Sequence, residues 1–269
     1  MELLTAAERI GILGDAHGDL DHVLRVSSAM SARDIRTLLV LGDFGFIWPG
    51  SNWDNVVSKL SKRLLARKQS LFFVDGNHED FKRLYRFPIG PDGLRWIRPN
   101  IAHVPRGYRT RLASGRTMAA LGGANSIDVE YRREGISWWP QESITEAELD
   151  AVGEEPAELL VGHDAPLNLP ALDRWLAHTA DEWSSSGREY AIAGRRMFHR
   201  GFLQARPALY VGGHYHHHTD ETIVYGTGDD RFESRVVIFD KNGDPTTISQ
   251  GILNVTTFDL DLFCLANHT

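Results

Sequence analysis

Five short polar clusters, each containing glycine together with histidine, acidic or amide residues, are the part of this sequence that could do chemistry. Four of them follow an apolar run of the kind that forms a buried strand. The clusters are Gly14-Asp15-Ala16-His17-Gly18, Gly42-Asp43, Gly76-Asn77-His78-Glu79, Gly162-His163 and Gly213-His214-Tyr215-His216. Ligands bind outside the carboxyl ends of the strands in an open α/β sheet. Gathered there, these side chains would offer enough oxygen and imidazole ligands for two metal ions.

Asp43 is the carboxylate that we expect to bridge the two ions, because each of its oxygens can bind one metal. Asp15 and His17 are two residues apart, so they point to the same side of an extended backbone and can chelate one ion. The expected ligand sets are Asp15, His17, Asp43 and His216 around one ion, and Asp43, Asn77, His163 and His214 around the other.

The mixture of carboxylate, amide and imidazole ligands favours a divalent transition metal over Ca²⁺, which prefers oxygen. We expect Mn²⁺, with Fe, Zn, Co or Ni as compatible alternatives. A water that bridges the ions would lose a proton near neutral pH and attack phosphorus. His78, beside the ligand Asn77, is the candidate general acid for the leaving oxygen.

The elements that must position these residues begin with a βαβα alternation. Strands are predicted at 9–14, 37–42 and 70–75, with a helix over 54–68. Later apolar runs are closer together or alternate with polar residues, which favours antiparallel additions; they lie at 101–104, 117–122, 158–162, 208–212, 234–239 and 252–260. The pattern predicts two packed sheets flanked by helices.

Two further segments are expected to border the site. Residues 165–207 have helical spacing and separate two ligand clusters, so we expect a helical insertion that packs over or beside the site. Residues 124–142 follow a Gly-Gly pair and are interpreted as a functional loop. We treat residues 1–269 as a single domain that carries this insertion.

The bulk properties limit the class of protein. The chain has 269 residues, 42% of them hydrophobic, and a net charge of −7, which disfavours long nucleic acid as a partner without excluding it. Its single cysteine, Cys264, cannot form an intramolecular disulfide, so a reduced cytoplasm is the expected location. No apolar stretch approaches the roughly 20 residues of a membrane helix.

In their order along the chain, the five clusters resemble the motifs of the calcineurin-like metallophosphoesterases: Asp-x-His, Gly-Asp, Gly-Asn-His-Glu/Asp, Gly-His and Gly-His-x-His. All five are present between residues 14 and 216. The resemblance implies a four-layer sandwich of two central mixed β-sheets flanked by α-helices. It also implies a dinuclear metal centre that hydrolyses phosphoesters, with His78 as the proton donor.

Two departures from the family pattern narrow the range of expected activities. Members that act as Ser/Thr protein phosphatases have Gly-Asp-x-Val-Asp-Arg-Gly and Gly-Asn-His-Glu-Ser-Arg, with arginines that grip the phosphoryl group. Both arginines are missing after Asp43 and Glu79, which argues against a protein phosphatase. Phe46 replaces the second aspartate, which would orient the acid histidine in those members.

The remaining residues near the clusters indicate a small organic phosphodiester, such as a cyclic nucleotide. Phe44 and Tyr215 could stack on a base, and Asn125 could reach the phosphate. Arg132 and Arg133 could also reach it, but a solvated loop is the favoured interpretation for both. A nuclease, a phosphomonoesterase and a metal-free scaffold with the same fold are the alternatives.

Overall fold

The computed structural model describes residues 3–268, and its elements alternate between strands and helices in the first third of the chain. The strands are β1 (Arg9–Leu13), β2 (Thr37–Val40), β3 (Ser70–Phe73), β4 (Arg95–Arg98), β5 (Ile101–His103), β6 (Arg109–Arg111), β7 (Thr117–Leu121), β8 (Leu159–Gly162), β9 (Leu209–Gly212), β10 (Thr219–Tyr225), β11 (Phe232–Ile238), β12 (Gln250–Asn254) and β13 (Leu260–Phe263). The α-helices are α1 (Leu20–Ser31), α2 (Trp53–Ala66), α3 (Phe81–Leu84), α4 (Glu146–Val152), α5 (Pro170–His178) and α6 (Ser185–Ala205).

The strands form two mixed sheets. The first has the order β13-β12-β1-β2-β3-β5-β4, and its central strands β1, β2, β3 and β5 are parallel. The second has the order β10-β11-β9-β8-β7-β6, with β7, β8, β9 and β11 parallel. Antiparallel strands complete both edges of each sheet.

Side-chain alternation along the strands explains why the sheets stack. Ile10 and Ile12 of β1 belong to the apolar cluster between the sheets, where they join Val161 of β8 and Val211 of β9. The residues of β2 on the opposite face pack against α1 and α2. A third cluster joins the outer face of the second sheet to α4, α5 and α6. The predicted four-layer arrangement is therefore confirmed.

The predicted elements match the structure closely in the first third of the chain and less well after it. The antiparallel arrangement expected for the later apolar runs is wrong for β7, β8, β9 and β11, which pair parallel with one another. The helix predicted over 54–68 is α2, and the first three predicted strands are β1, β2 and β3. The single strand predicted over 252–260 is wrong, because the chain turns after Asn254, whose side-chain oxygen accepts the backbone N–H of Thr256 at 2.9 Å. Strands β12 and β13 pair antiparallel around this turn.

The segment 165–207 is helical, as expected. Helix α6 is capped by Ser184, whose hydroxyl oxygen accepts the backbone N–H of Gly187 at 3.0 Å. Phe198 and Phe202 of α6 are fully buried against the second sheet. Within residues 3–268, no helix combines the length and apolar character needed to cross a membrane.

Candidate metal centre

The five polar clusters of the sequence meet at one edge of the two sheets. Each begins at, or within three residues of, the carboxyl end of its strand: β1, β2, β3, β8 or β9. The first three strands are parallel neighbours in one sheet and the last two in the other, so their ends face the same side. The predicted ligands that come together there are Asp15, His17, Asp43, Asn77, His163, His214 and His216.

One group of ligand atoms surrounds a common point beside the end of β1. The side chains of Asp15, His17, Asp43 and His216 each place one ligand atom within 4.8 Å of the others. The Nε2 atoms of His17 and His216 are 3.0 Å apart, and Nε2 of His216 is 3.3 Å from Oδ2 of Asp15. Two nitrogens bound at right angles to one transition metal are also about 3.0 Å apart, since each bond is about 2.1 Å. This group therefore fits a cation.

A second group forms around His163. Its Nδ1 lies 2.7 Å from the carbonyl oxygen of Leu41, to which the ring N–H donates. Nε2 then faces two acceptors, Oδ1 of Asp43 at 3.3 Å and Oδ1 of Asn77 at 3.2 Å. A histidine that binds a metal commonly donates its other ring N–H to a carbonyl in this way. The ring of His214 packs against that of His163, with centroids 5.0 Å apart.

Asp43 belongs to both groups. Its Oδ2 lies 3.8 Å from Nε2 of His17, while its Oδ1 lies 3.3 Å from Nε2 of His163. The backbone N–H of His78 donates to the same Oδ1 at 2.7 Å and so fixes the carboxylate. The two oxygens are thus directed at different sets of ligands.

The buried carboxylates of the centre favour positive charge beside them. Burial opposes ionisation of Asp43, yet the charges of His163 and His78 hold its pKa well below the ordinary value. Burial likewise opposes protonation of His163, but Asp43 and Asp15 raise its pKa to about 10. Burial and the charge on His163 lower the pKa of His214 to about 3, which keeps that ring neutral. Two buried carboxylates beside a neutral imidazole suit divalent cations.

The backbone at the ligands is strained. Nine residues other than glycine have positive φ in the described part of the chain, and four of them are predicted ligands: His17 (44°), Asp43 (44°), His214 (74°) and His216 (50°). Side chains with a Cβ disfavour this region by about 1–3 kcal/mol each, and such residues concentrate at functional sites. The fold therefore holds these side chains in place at a cost to stability.

Glycines precede the ligands because the backbone approaches other ligands too closely for a side chain. A Cβ on Gly76 would lie 2.2 Å from Oδ1 of Asp43 and 2.7 Å from Nε2 of His163. A Cβ on Gly42 would lie 2.2 Å from Nδ1 of His163. Either substitution would force the ligand atoms apart.

His78, the expected general acid, lies at the edge of the centre. Its Nε2 is 4.0 Å from Oδ2 of Asp43 and 2.8 Å from Nη2 of Arg132. Because a guanidinium only donates, this nitrogen of His78 accepts the hydrogen bond. Burial lowers the pKa of His78, partly offset by Asp43. Phe46, which stands in the place of the family's orienting aspartate, is buried and packs on Phe44.

Two of the three expected substrate contacts need correction. Phe44 is fully buried and stacks on Phe73 with centroids 4.2 Å apart, so its ring cannot reach a base. The amide of Asn125 is engaged at both ends: it donates to the carbonyl of Tyr190 at 2.9 Å and accepts from the hydroxyl of Ser143 at 2.7 Å. Tyr215 does line the cavity above the centre, where its hydroxyl donates to Asp164.

That cavity has a volume of about 870 Å³, within the range of roughly 300–1,000 Å³ that is typical of small-molecule sites. The candidate ligands His17, Asp43, Asn77, His214 and His216 are among the residues that line it. The helical segment 165–207 provides much of the rest of the wall, through residues that the sequence analysis did not single out: Trp175, Leu176, Trp183, Arg188, Ala191, Ile192 and Arg195. The i, i+4 spacing of Arg188 with Ile192 and of Ala191 with Arg195 was the sequence signal that could have placed these residues on one helix face.

The loop after β7 supplies another residue that the sequence analysis misjudged. Arg133 is exposed, as expected, but the side chain of Arg132 is only 9% exposed and lines the cavity. The interpretation of Arg132 as a solvated loop residue is therefore wrong. Its Nε binds Oδ1 of Asp128 at 2.7 Å, which turns the guanidinium toward His78.

Comparison with known families agrees with this arrangement. Residues 8–218, which contain all five clusters, match the family profile of the calcineurin-like phosphoesterases. The chain belongs to this family. Membership of the calcineurin-like phosphoesterases indicates a phosphoester hydrolase, and together with the cluster of Asp15, His17, Asp43 and His216 it indicates divalent metal ions as cofactors.

Solved structures share the fold of this calcineurin-like phosphoesterase at low sequence identity. The protein TT1561 of Thermus thermophilus is 13% identical, with a TM-score of 0.56 over 96% of this chain and 99% of that chain. A dimetal phosphatase from Danio rerio is 11% identical, with a TM-score of 0.53 over 93% of each chain. A search of curated proteins gave no significant match.

Proposed function

We propose that this calcineurin-like phosphoesterase is a dinuclear phosphodiesterase that hydrolyses small nucleotide-type phosphodiesters. The observation that carries the proposal is the position of Asp43, whose two oxygens face separate groups of ligands. A carboxylate in this position could help to hold two ions, which would supply the chemistry of two-metal phosphoester hydrolysis.

In this proposal each ion has four ligands from the chain. One is held by Asp15, His17, Asp43 and His216, and the other by Asp43, Asn77, His163 and His214. Both sets combine oxygen and imidazole nitrogen, which suits Mn²⁺ and also Fe, Zn, Co or Ni. The backbone N–H of His214 donates to both oxygens of Asp15, at 3.1 and 3.2 Å, and so orients that carboxylate toward its ion.

When bound, the two ions would lower the pKa of a water molecule and neutralise charge on the phosphoryl group. The side chains of the protein would orient the ligands and transfer protons. The hydrogen bond from His163 to Leu41 keeps Nε2 of His163 directed at the centre. His78 would protonate the leaving oxygen from Nε2, which requires that its hydrogen bond from Arg132 be exchanged and that Nε2 take up a proton first, because this nitrogen accepts from Arg132 and carries no proton in that contact.

The cavity supports an organic group on the substrate. Its volume exceeds what a phosphate alone requires, and the wall from segment 165–207 contributes apolar and aromatic surface. Trp183 is 37% exposed and lines the cavity, so its ring, rather than that of Phe44, is available to stack on a base. A diester with one nucleoside-sized substituent fits this combination.

The test is hydrolysis of bis-p-nitrophenyl phosphate by the purified protein with Mn²⁺. We expect Asp43→Ala and His214→Ala to lose bound metal, measured by elemental analysis, together with activity. His178→Ala is the matched control, because His178 is an exposed helical histidine outside the cavity. Full activity in Asp43→Ala would refute the assignment. Hydrolysis rates of the wild-type protein would rank four substrate classes: cyclic nucleotides, linear dinucleotides, phosphomonoesters and nucleic acid polymers.

A further inference from the structure

Arg132 is a buried arginine at the cavity whose hydrogen bonds are incomplete. Its side chain is 9% exposed and lines the cavity together with His17, Asp43 and His78. Nε donates to Oδ1 of Asp128 at 2.7 Å, and Nη2 donates to Nε2 of His78 at 2.8 Å. Nη1 is buried and has no hydrogen-bond partner in the described part of the chain.

An unpaired N–H of a buried guanidinium is costly, and in native proteins it calls for an explanation. The carboxylate of Glu142 accepts from the backbone N–H of Ser126 at 2.8 Å and from its hydroxyl at 2.6 Å, and it makes no hydrogen bond to Nη1 of Arg132. Asp128, which is 35% exposed, binds Nε alone. Nη1 therefore has no acceptor in the described part of the chain, on a side chain that lines the cavity.

Arg106 provides a contrast within the same protein. Its side chain is 3% exposed, and all three of its nitrogens have partners: Nε binds Asp75, Nη1 binds Glu148 and a carbonyl, and Nη2 binds two further carbonyls. The fold thus satisfies every nitrogen of Arg106. Arg132 is comparably buried yet keeps a donor unused beside the candidate metal ligands.

We propose that Arg132 binds the phosphoryl group of the substrate, with Nη1–H and Nη2–H donating to non-bridging phosphate oxygens. This inference rests on the proposed phosphoesterase function and names the group that holds the substrate anion. Two N–H groups of a guanidinium can donate to two oxygens of one phosphate, which fixes the orientation of the phosphate as well as supplying positive charge. Nη2 exchanges His78 for the phosphate oxygen, and this exchange frees Nε2 of His78 to take up the proton that it would donate to the leaving oxygen.

The experiment measures the affinity of the Mn²⁺-loaded protein for inorganic phosphate by titration calorimetry. We expect Arg132→Gln to weaken phosphate binding by about ten- to a hundredfold, the usual effect of losing hydrogen bonds to a charged group. Arg132→Lys should recover part of the affinity, since it restores the charge but not the fork. The matched control is Arg133→Gln, which removes an exposed neighbouring arginine and should leave the affinity within about twofold of the wild type.

The same variants are assayed with bis-p-nitrophenyl phosphate and analysed for metal. Arg132→Gln should raise KM and retain its metal. Wild-type affinity for phosphate in Arg132→Gln, or equal weakening in Arg133→Gln, would overturn the inference, as would a wild-type protein that binds no phosphate. If Arg132→Gln does not fold, Arg132→Lys decides, because a structural role predicts unchanged phosphate affinity. Failure of the proposed function would give a different result. The wild-type protein would not hydrolyse the diester, whereas calorimetry would still measure how the Arg132 variants change the affinity for phosphate.

Discussion

The Nε2 atoms of His17 and His216 lie 3.0 Å apart, although the two residues are separated by 199 positions in the sequence. Both nitrogens also lie within 3.8 Å of Oδ2 of Asp15. A metal ion placed between these two imidazoles and the carboxylate oxygen could take all three as ligands. This contact joins the loop after β1 to the loop after β9.

Removal of His216 should remove one of the two ions. We expect His216→Ala to bind one Mn²⁺ per chain instead of two, and to lose activity by more than about a hundredfold, since even residues that only support ligands change activity by 10–100-fold. Elemental analysis after gel filtration gives the metal count. His217→Ala is the control, because the ring of His217 stacks on Trp175 and not on the centre. Two retained ions in His216→Ala would contradict the assignment.

A methyl group at Gly76 should disrupt the centre from the backbone side. Gly76→Ala would place a Cβ 2.2 Å from Oδ1 of Asp43, and relief of this clash should cost about 1–3 kcal/mol and reduce metal binding. Urea unfolding and metal analysis measure the two effects. Gly135→Ala serves as a control, since that glycine has positive φ but open space around its Cβ position. It should lose about 1 kcal/mol of stability and keep its metal.

The buried ion pair of Asp75 should be far more important for stability than an exposed pair. Asp75→Ala would remove the buried carboxylate whose Oδ2 is 2.6 Å from Nη2 of Arg106 and leave that buried guanidinium with the partly exposed Glu148, and should cost about 3–5 kcal/mol. Asp220→Ala, which breaks the partly exposed pair with Arg235, should cost about 1 kcal/mol or less. Urea unfolding with excess Mn²⁺ measures both. Similar losses in the two variants would show that the burial of Asp75 does not matter.

Trp183 should contribute to binding of the organic group and not to the chemical step. Because stacking on an aromatic ring contributes about 1–3 kcal/mol per base, Trp183→Ala should raise KM for a thymidine 5′-p-nitrophenyl diester by about fivefold or more. Steady-state kinetics should show unchanged kcat, and unchanged KM for the methyl p-nitrophenyl diester. Tyr131→Ala, which removes an 82% exposed tyrosine that does not line the cavity, should change neither constant. An equal rise in KM for both diesters would rule out stacking.

Much of the fold could be predicted because strands are recognisable from local apolar runs. Strands β1, β2 and β3 and helix α2 follow directly from such patterns. Short or polar strands were missed, among them β6 (Arg109–Arg111) and β10 (Thr219–Tyr225). These strands lie at the edges of the second sheet, where one neighbour is enough for pairing and little apolar surface is needed.

The sequence by itself determined the two-sheet architecture and which residue types stand at the strand ends, because both depend on neighbours along the chain. Only the tertiary structure decided which side chains face the cavity. Phe44 and Arg132 show the difference: the aromatic ring beside a ligand is fully buried, while the arginine expected in solvent lies against His78. The direction of a loop side chain is set by packing against segments far away in the sequence, and local patterns carry no information about that packing.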